Sequence, residues 1–314
     1  MHKKIVRVSV GIPAFNEEAN IENTLRSILT QEGNFKLERI LVISDGSTDK
    51  TNKVVTEWSK KIRRIHLIAE NVRTGKAARL NQLARLNKSE ILICLDADTR
   101  LGHKYVFAEL LRPLINSRVQ VAAGNLLPAK AQNFFNRITN AMFLMWYEIR
   151  KNYKNGDNIH NLQGAIYAIR NKFARKVTLP EKTIGEQQYL YYKLSKHNGS
   201  FVFVKEAVTL ISLPTTFSDF YLQGSRSLTE KYRLANHIHA KILPLYYIPL
   251  THKLKGIISA FLYDPFYTSF AIIFSILIRL MPPQHDPLLK KGLWTRVSTT
   301  KKLLSKRAKL AYYL

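Results

Sequence analysis

Two carboxylates one residue apart, Asp96 and Asp98, close the apolar run 91–95 (ILICL). Five consecutive apolar residues predict a buried strand of a parallel sheet. Carboxylates at its end are too costly to desolvate unpaired. A divalent cation at the carboxyl end of the strand, where open α/β sheets hold their ligands, would relieve that cost. Hard oxygen donors at this spacing suit Mg²⁺ or Mn²⁺, whose coordination waters and substrate phosphates usually complete. Two other readings stand beside this one. The strand can simply run into an Asp-rich turn. A phosphatase-like D-x-D-x-T pattern is disfavoured, because Thr99 comes one place early and Arg100 stands where the threonine belongs.

The elements that would position this pair follow a regular alternation. Residues 6–13 (VRVSVGIP) suit a first strand, and the turn PAFNEE opens a helix with Ile21, Leu25, Ile28 and Leu29 on one face. A second strand, 40–44, stops at Asp45-Gly46-Ser47-Thr48-Asp49, where Asp45 either caps the turn or serves a ligand. A third, 66–69, leads into Gly75-Lys76 at the start of a helix. Backbone amides and an ammonium at a helix start can meet phosphates. The surrounding residues are not a Walker motif, lacking its earlier glycine and the Ser/Thr after lysine. Four strands alternating with helices, with polar chemistry at the strand ends, predict a doubly wound α/β nucleotide-binding half.

At 314 residues the chain can bury one large core or two small ones. Lys and Arg number 49 against 22 Asp and Glu, a formal charge of +27 that implies anionic partners: nucleic acid, anionic lipid or phosphorylated substrates. The single cysteine, Cys94, sits inside the apolar run, which excludes a disulfide framework and suggests a reducing compartment. The opening residues are too polar for a secretory signal, so the expected start is cytoplasmic. No helix-turn-helix, zinc-ligand or RNP-like pattern supports nucleic-acid binding.

Pro13-Ala14-Phe15-Asn16-Glu17, Asp45-Gly46-Ser47-Thr48-Asp49, Gly75-Lys76 and Asp96-Ala97-Asp98, in this order, resemble family 2 inverting glycosyltransferases of the GT-A fold. The resemblance implies that Pro13, Ala14, Asn16, Glu17, Asp45 and Lys76 hold the nucleotide of a sugar donor. It implies that Asp98, with Asp96, binds the metal at the donor diphosphate. The segment 163–170 resembles the acceptor-side strand, with Gly164 allowing close backbone approach. At 184–190 (IGEQQYL) the family carries a Glu-Asp pair whose aspartate is the catalytic base. Here Gln187 occupies that place and cannot accept a proton, which leaves Glu186 as the expected base. Asp157 and Glu181 are the next carboxylates to consider. Gln223 and Arg226 match the Q-x-x-R-W motif, while Ser227 replaces its tryptophan. Three apart on a helix, the amide and guanidinium share a face.

The resemblance places the nucleotide-sugar-binding half of a GT-A domain at 1–125, the acceptor and catalytic half at 126–235, and a helical basic tail at 236–314. The sheet is expected to be mostly parallel but mixed. Within 133–151, Phe134, Ile138, Met142, Met145 and Ile149 form an apolar stripe opposite Asn136, Arg137, Asn140 and Arg150, which fits either a core helix or an interfacial one. Residues 256–281 are apolar apart from Asp264 and Arg279. Asp264-Pro265 predicts a break into two arms, and so a monotopic or re-entrant anchor rather than one span. Leu303, Leu304, Ala308 and Ala311 suit the apolar stripe of a basic interfacial helix. The expected activity is metal-dependent transfer of a sugar, with inversion, from a nucleotide-diphosphate sugar to a glycan or lipid-linked hydroxyl acceptor at the cytoplasmic membrane face. An anionic membrane surface, not nucleic acid, is the expected macromolecular partner. A catalytically impaired nucleotide-sugar-binding relative is the alternative that Gln187 and Ser227 leave open.

Overall fold

The computed structural model describes residues 5–115, 118–197, 199–237, 240–283, 286–293, 295, 297 and 299–301. The basic stripe expected around Leu303 to Ala311 lies outside them.

Alternation and apolar runs give the strands their place. β1 (Val6–Ala14) lies between β2 (Phe35–Asp45) and β4 (Ile91–Leu95), pairing parallel with both, and β3 (Ile65–Glu70) extends β2 in the same sense. The first half of the sheet therefore runs 3-2-1-4, the order of a doubly wound nucleotide fold. Beyond β4 the direction changes. β7 (Ile166–Arg170) pairs antiparallel with both β4 and β6 (Val119–Pro128), and β8 (Ser200–Ile211) runs parallel to β6. The short β5 (Arg100–Leu101) closes the far edge against β8, completing an eight-stranded mixed sheet. Because β7 inserts between β4 and β6, the two expected halves share one sheet, and the 125/126 boundary falls within β6.

Successive strand residues point to opposite faces, so each strand feeds two cores. Val8, Val10, Ile12, Ile40 and Val42 pack with α1 (Ile21–Leu29), α2 (Thr51–Lys61) and α4 (Val106–Leu111). Leu41, Ile43, Leu92 and Tyr167 pack with α3 (Lys76–Leu86), α6 (Asn171–Ala174) and α7 (Glu186–Lys196). A third layer lies to one side. It consists of α5 (Phe134–Arg150), α8 (Phe217–His237), α9 (Leu250–Tyr263) and α10 (Pro265–Leu280).

α5 settles the choice left by its two stripes. Of the residues on its polar stripe, Asn136, Asn140 and Arg150 are buried together with Ile138, Met145 and Ile149, while Arg137 is exposed. Asn136 Nδ2 donates to the carbonyls of Leu213 and Pro214, Asn140 Nδ2 to that of Ala129, and Arg150 Nη1 to Asn161 Oδ1. With those bonds made, a polar face can enter a core. α5 is a core helix, covered by α9 and α10. Phe134, expected on the apolar stripe, is exposed at its N-terminus.

The expected break at Asp264-Pro265 is present. Asp264 Oδ1 accepts the Tyr267 amide as the cap of α10, and Pro265 takes the first helical position, where its missing N–H costs nothing. No helix among the described residues is long and apolar enough to cross a membrane.

Candidate active site

β1, β2 and β4 all deliver their carboxyl ends to one cleft of about 410 Å³. Pro13 and Ala14 line it from the end of β1, Phe15 and Glu17 from the turn that follows, Asp45 from the end of β2, and Asp96, Ala97 and Asp98 from the end of β4. Gly75, Lys76 and Arg79 come from the start of α3, and Gln223, Arg226, Ser227 and Glu230 from one face of α8. The Q-x-x-R pair therefore lines the same cleft as the D-x-D pair.

Lys76 Nζ donates to Asp96 Oδ1 at 2.5 Å. Burial opposes the ammonium charge, but Asp96, Glu186 and Asp98 outweigh it, and the Lys76 pKa is raised. The lysine therefore stays cationic beside the aspartates. Gly164 makes this arrangement possible. A Cβ there would lie 2.8 Å from Lys76 Nζ, 3.0 Å from Gln187 Nε2 and 3.2 Å from Asp96 Oδ2. The close approach allowed by the missing side chain serves protein groups at the head of the cleft.

Asp45 is committed locally. Its Oδ1 accepts from Arg79 Nε at 2.7 Å and from the Thr74 amide, and its Oδ2 accepts the Gly75 amide at 2.8 Å. It thus fixes the loop that starts α3 and aims Lys76. Asn16 does not line the cleft. It adopts a left-handed backbone (φ 53°), and its Oδ1 accepts the Thr48 amide, which ties the first turn to the second.

Glu186 and Gln187 open α7 and lie behind the cleft wall, both buried. Glu186 Oε1 and Gln187 Nε2 have no hydrogen-bond partner. Burial raises the Glu186 pKa against the pull of Lys76.

Several wall residues escaped the sequence reading. Arg79 forms a buried ion pair with Asp45, three residues after Lys76 on the same helix. Arg73 stacks its guanidinium on Phe15, 3.8 Å from the ring centroid. The spacing of Glu230, four residues after Arg226, was the available signal for it. Gly292, Leu293, Thr295, Val297 and Thr300, from the stretch expected to be tail, also line the cleft. Arg226 Nη1 donates to the Thr295 carbonyl, and Asp219 Oδ2 accepts from the Thr299 amide and hydroxyl.

Among the described residues no group of three His, Cys, Asp or Glu side chains converges as a metal cage. Asp96 and Asp98 supply hard oxygens at an open wall. That donor set fits Mg²⁺ or Mn²⁺ where phosphate oxygens and water complete the shell, the division these ions favour. The residues present fit the group.

A family model described as "Glycosyl transferase family 2" matches residues 9–178, more than half of the chain. Poly-beta-1,6-N-acetyl-D-glucosamine synthase of Staphylococcus epidermidis is 33% identical over 124 residues, 40% of this chain and 29% of that protein. A probable glycosyltransferase of Bacillus subtilis, YdaM, is 24% identical over 231 residues, 71% of this chain and 55% of that protein. The chain thus spans 29% and 55% of the length of these relatives. Among solved structures, the mannosyltransferase PcManGT of Pyrobaculum calidifontis, in complex with GDP-Man and Mn²⁺, superposes with a TM-score of 0.58 at 18% identity. That match covers 90% of this chain and 77% of the other, a likeness of fold.

Proposed function

The chain belongs to glycosyl transferase family 2, and from that premise we propose that it transfers a sugar, with inversion, from a nucleotide-diphosphate sugar to a hydroxyl acceptor in a Mg²⁺- or Mn²⁺-dependent reaction. The observation that carries this reading is the meeting of Asp96, Asp98, Lys76 and Arg226 around one cleft that Pro13, Ala14, Phe15 and Glu17 also line. Carboxylates to hold a metal and cations to face phosphates are what a diphosphate leaving group requires. The metal complex of the mannosyltransferase of similar fold supports the same assignment.

In this reading Asp96 and Asp98 would hold the cation, which when bound neutralises charge on the leaving diphosphate. Lys76, kept cationic by its carboxylate neighbours, orients the phosphates from the start of α3. Arg226 faces them from α8. Pro13, Ala14, Glu17 and the Arg73–Phe15 stack border the part of the cleft left for the nucleoside. The attacking hydroxyl must lose a proton as its bond to the anomeric carbon forms, so a carboxylate beside the cleft has to accept it. The acceptor, glycan or lipid-linked, approaches at an anionic membrane surface on the cytoplasmic side. The exposed apolar faces of α9 and α10 and the charge of +27 support that placement.

Incubation of the purified chain with UDP-, GDP- and TDP-linked sugars and Mn²⁺, with detection of released nucleoside diphosphate, tests the reading. Release from one donor, abolished by chelation, is the expected result. Nucleotide binding without release from any donor would instead identify a binding protein that has lost turnover, the outcome Gln187 motivates.

A further inference from the structure

Glu186 sits poorly for a base that must meet an acceptor. It is only 4% exposed and does not line the cleft. Its neighbour Gln187 has no acidic proton site at all. A different carboxylate occupies the wall. Glu230 lies on α8, one helical turn beyond Arg226, and lines the same cleft as Asp96, Asp98 and Gln223. It leans against the start of α7. A Cβ added to Gly185, the residue before Glu186, would lie 3.2 Å from Glu230 Cγ and 3.3 Å from its Oε1. Glu230 thus reaches, from a different element, the end of α7 where the family motif would have put its aspartate. The glycine at 185 leaves room for it.

We propose that Glu230 is the general base of the transfer reaction, replacing the carboxylate that Gln187 cannot supply. The inference rests on the glycosyltransferase reading above. As the acceptor oxygen forms its bond to the anomeric carbon, its O–H bond breaks and the proton passes to a Glu230 carboxylate oxygen. The bond from the anomeric carbon to the diphosphate oxygen breaks, and the nucleoside diphosphate leaves with the electron pair. Glu230 then returns the proton to solvent through the open cleft.

The surroundings of Glu230 suit the task. Burial and the Glu186 carboxylate on α7 raise its pKa to about 7, against the pull of Arg226 on its own helix. Tyr246, from the 3-10 turn Ala240–Tyr246, faces it as well, and its phenol is pushed up by burial and by Glu230. A base is most effective when its pKa lies near the working pH.

The test compares Glu230→Gln with Glu186→Gln, using the donor identified in the panel. Glu230→Gln is expected to lose turnover by roughly 10²–10⁴-fold while keeping the thermal shift that nucleoside diphosphate plus Mn²⁺ induces. In the unmutated protein kcat should fall as pH drops through about 7, because the base must be deprotonated. Glu230→Asp should restore part of the turnover and move that limb. Glu186→Gln removes the like charge that raises Glu230, so it should keep most of the turnover and shift the limb to lower pH. The opposite pattern, with Glu186→Gln inactive and Glu230→Gln active with its pH limb unchanged, overturns the assignment. Absence of turnover in the unmutated chain on every donor removes the glycosyltransferase reading itself, and the base with it. If Glu230→Gln does not fold, the Glu230→Asp and Glu186→Gln profiles decide alone.

Discussion

Around Gly164 three side-chain tips meet where a β-carbon would stand: Lys76 Nζ, Asp96 Oδ2 and Gln187 Nε2. These are ends of flexible chains, so Gly164→Ala should fold with little change in melting temperature. It must nevertheless push Lys76 or Asp96 off its present line, and a displacement near 1 Å at a reacting centre can cost on the order of 10²-fold in rate. We expect turnover to fall steeply while thermal stability holds; a variant with native turnover would show that this contact has no bearing on the reaction. Asp98→Ala should abolish transfer and the Mn²⁺-dependent part of nucleotide binding without lowering stability in the absence of ligand. Calorimetric titration with nucleoside diphosphate, with and without Mn²⁺, reads both effects. The residues at strand ends were legible in the sequence because a buried strand ending in carboxylates is rare and expensive. Arg79 and Glu230 were not, because a charged residue on a helix usually faces water, and only the packing of α3 against β2 and of α8 over α7 turns these two inward.

The helical layer is held by a close crossing at which two effects of opposite sign compete. Gly256 of α9 rests on α5 so tightly that a Cβ would lie 2.6 Å from the Ile149 backbone. Replacing a mid-helix glycine with alanine ordinarily stabilises by about 1 kcal/mol. Here the added methyl would strike backbone, which cannot swing aside, and overpacking of this kind costs about 1–3 kcal/mol. Gly256→Ala should therefore destabilise, or separate α9 from α5, and a lowered urea midpoint would show it; a raised midpoint would mean the helices part at no cost. Aromatic rings seal the neighbouring crossings. Phe134 packs on Tyr267 and Phe270, and Phe135 on Phe220 and Phe274, so α5, α8 and α10 share one aromatic seam. The break between α9 and α10 could be read directly, since Asp followed by Pro both caps and starts a helix. The environment of α5 could not, because its amides become core residues only once the carbonyls of 129, 213 and 214 are brought to them.

The whole molecule presents the apolar surface of α9 and α10 outward. Leu262 and Leu280 are 79% and 77% exposed, and Leu250, Leu254, Ile258, Phe266, Ile273 and Ile276 are exposed with them. Inward, only Gly256, Ala260, Thr268, Ala271 and Ile278 are buried. The helices have 14 and 16 residues, or about 21 and 24 Å at 1.5 Å per residue, short of the roughly 30 Å hydrocarbon core of a bilayer. Two such arms joined at Asp264 fit a face that lies in the membrane boundary better than a crossing. Each large apolar side chain that leaves water there gains about 1.5–3 kcal/mol, and each basic residue near anionic headgroups adds about 1 kcal/mol. The chain should therefore bind vesicles containing phosphatidylglycerol, more weakly as salt rises. The double variant Leu262→Glu and Leu280→Glu should remain in solution, with nucleotide binding unchanged because both residues lie outside the cleft. Topology has its own readout. Cys94 is the chain's single cysteine and is buried, so a cysteine introduced as Lys291→Cys, at an exposed position beyond α10, would be the accessible thiol in intact cells. An anchor that enters and leaves on one face keeps that thiol inside, protected from an impermeant reagent. Labelling from outside would instead require the chain to cross, and the re-entrant arrangement would have to be abandoned.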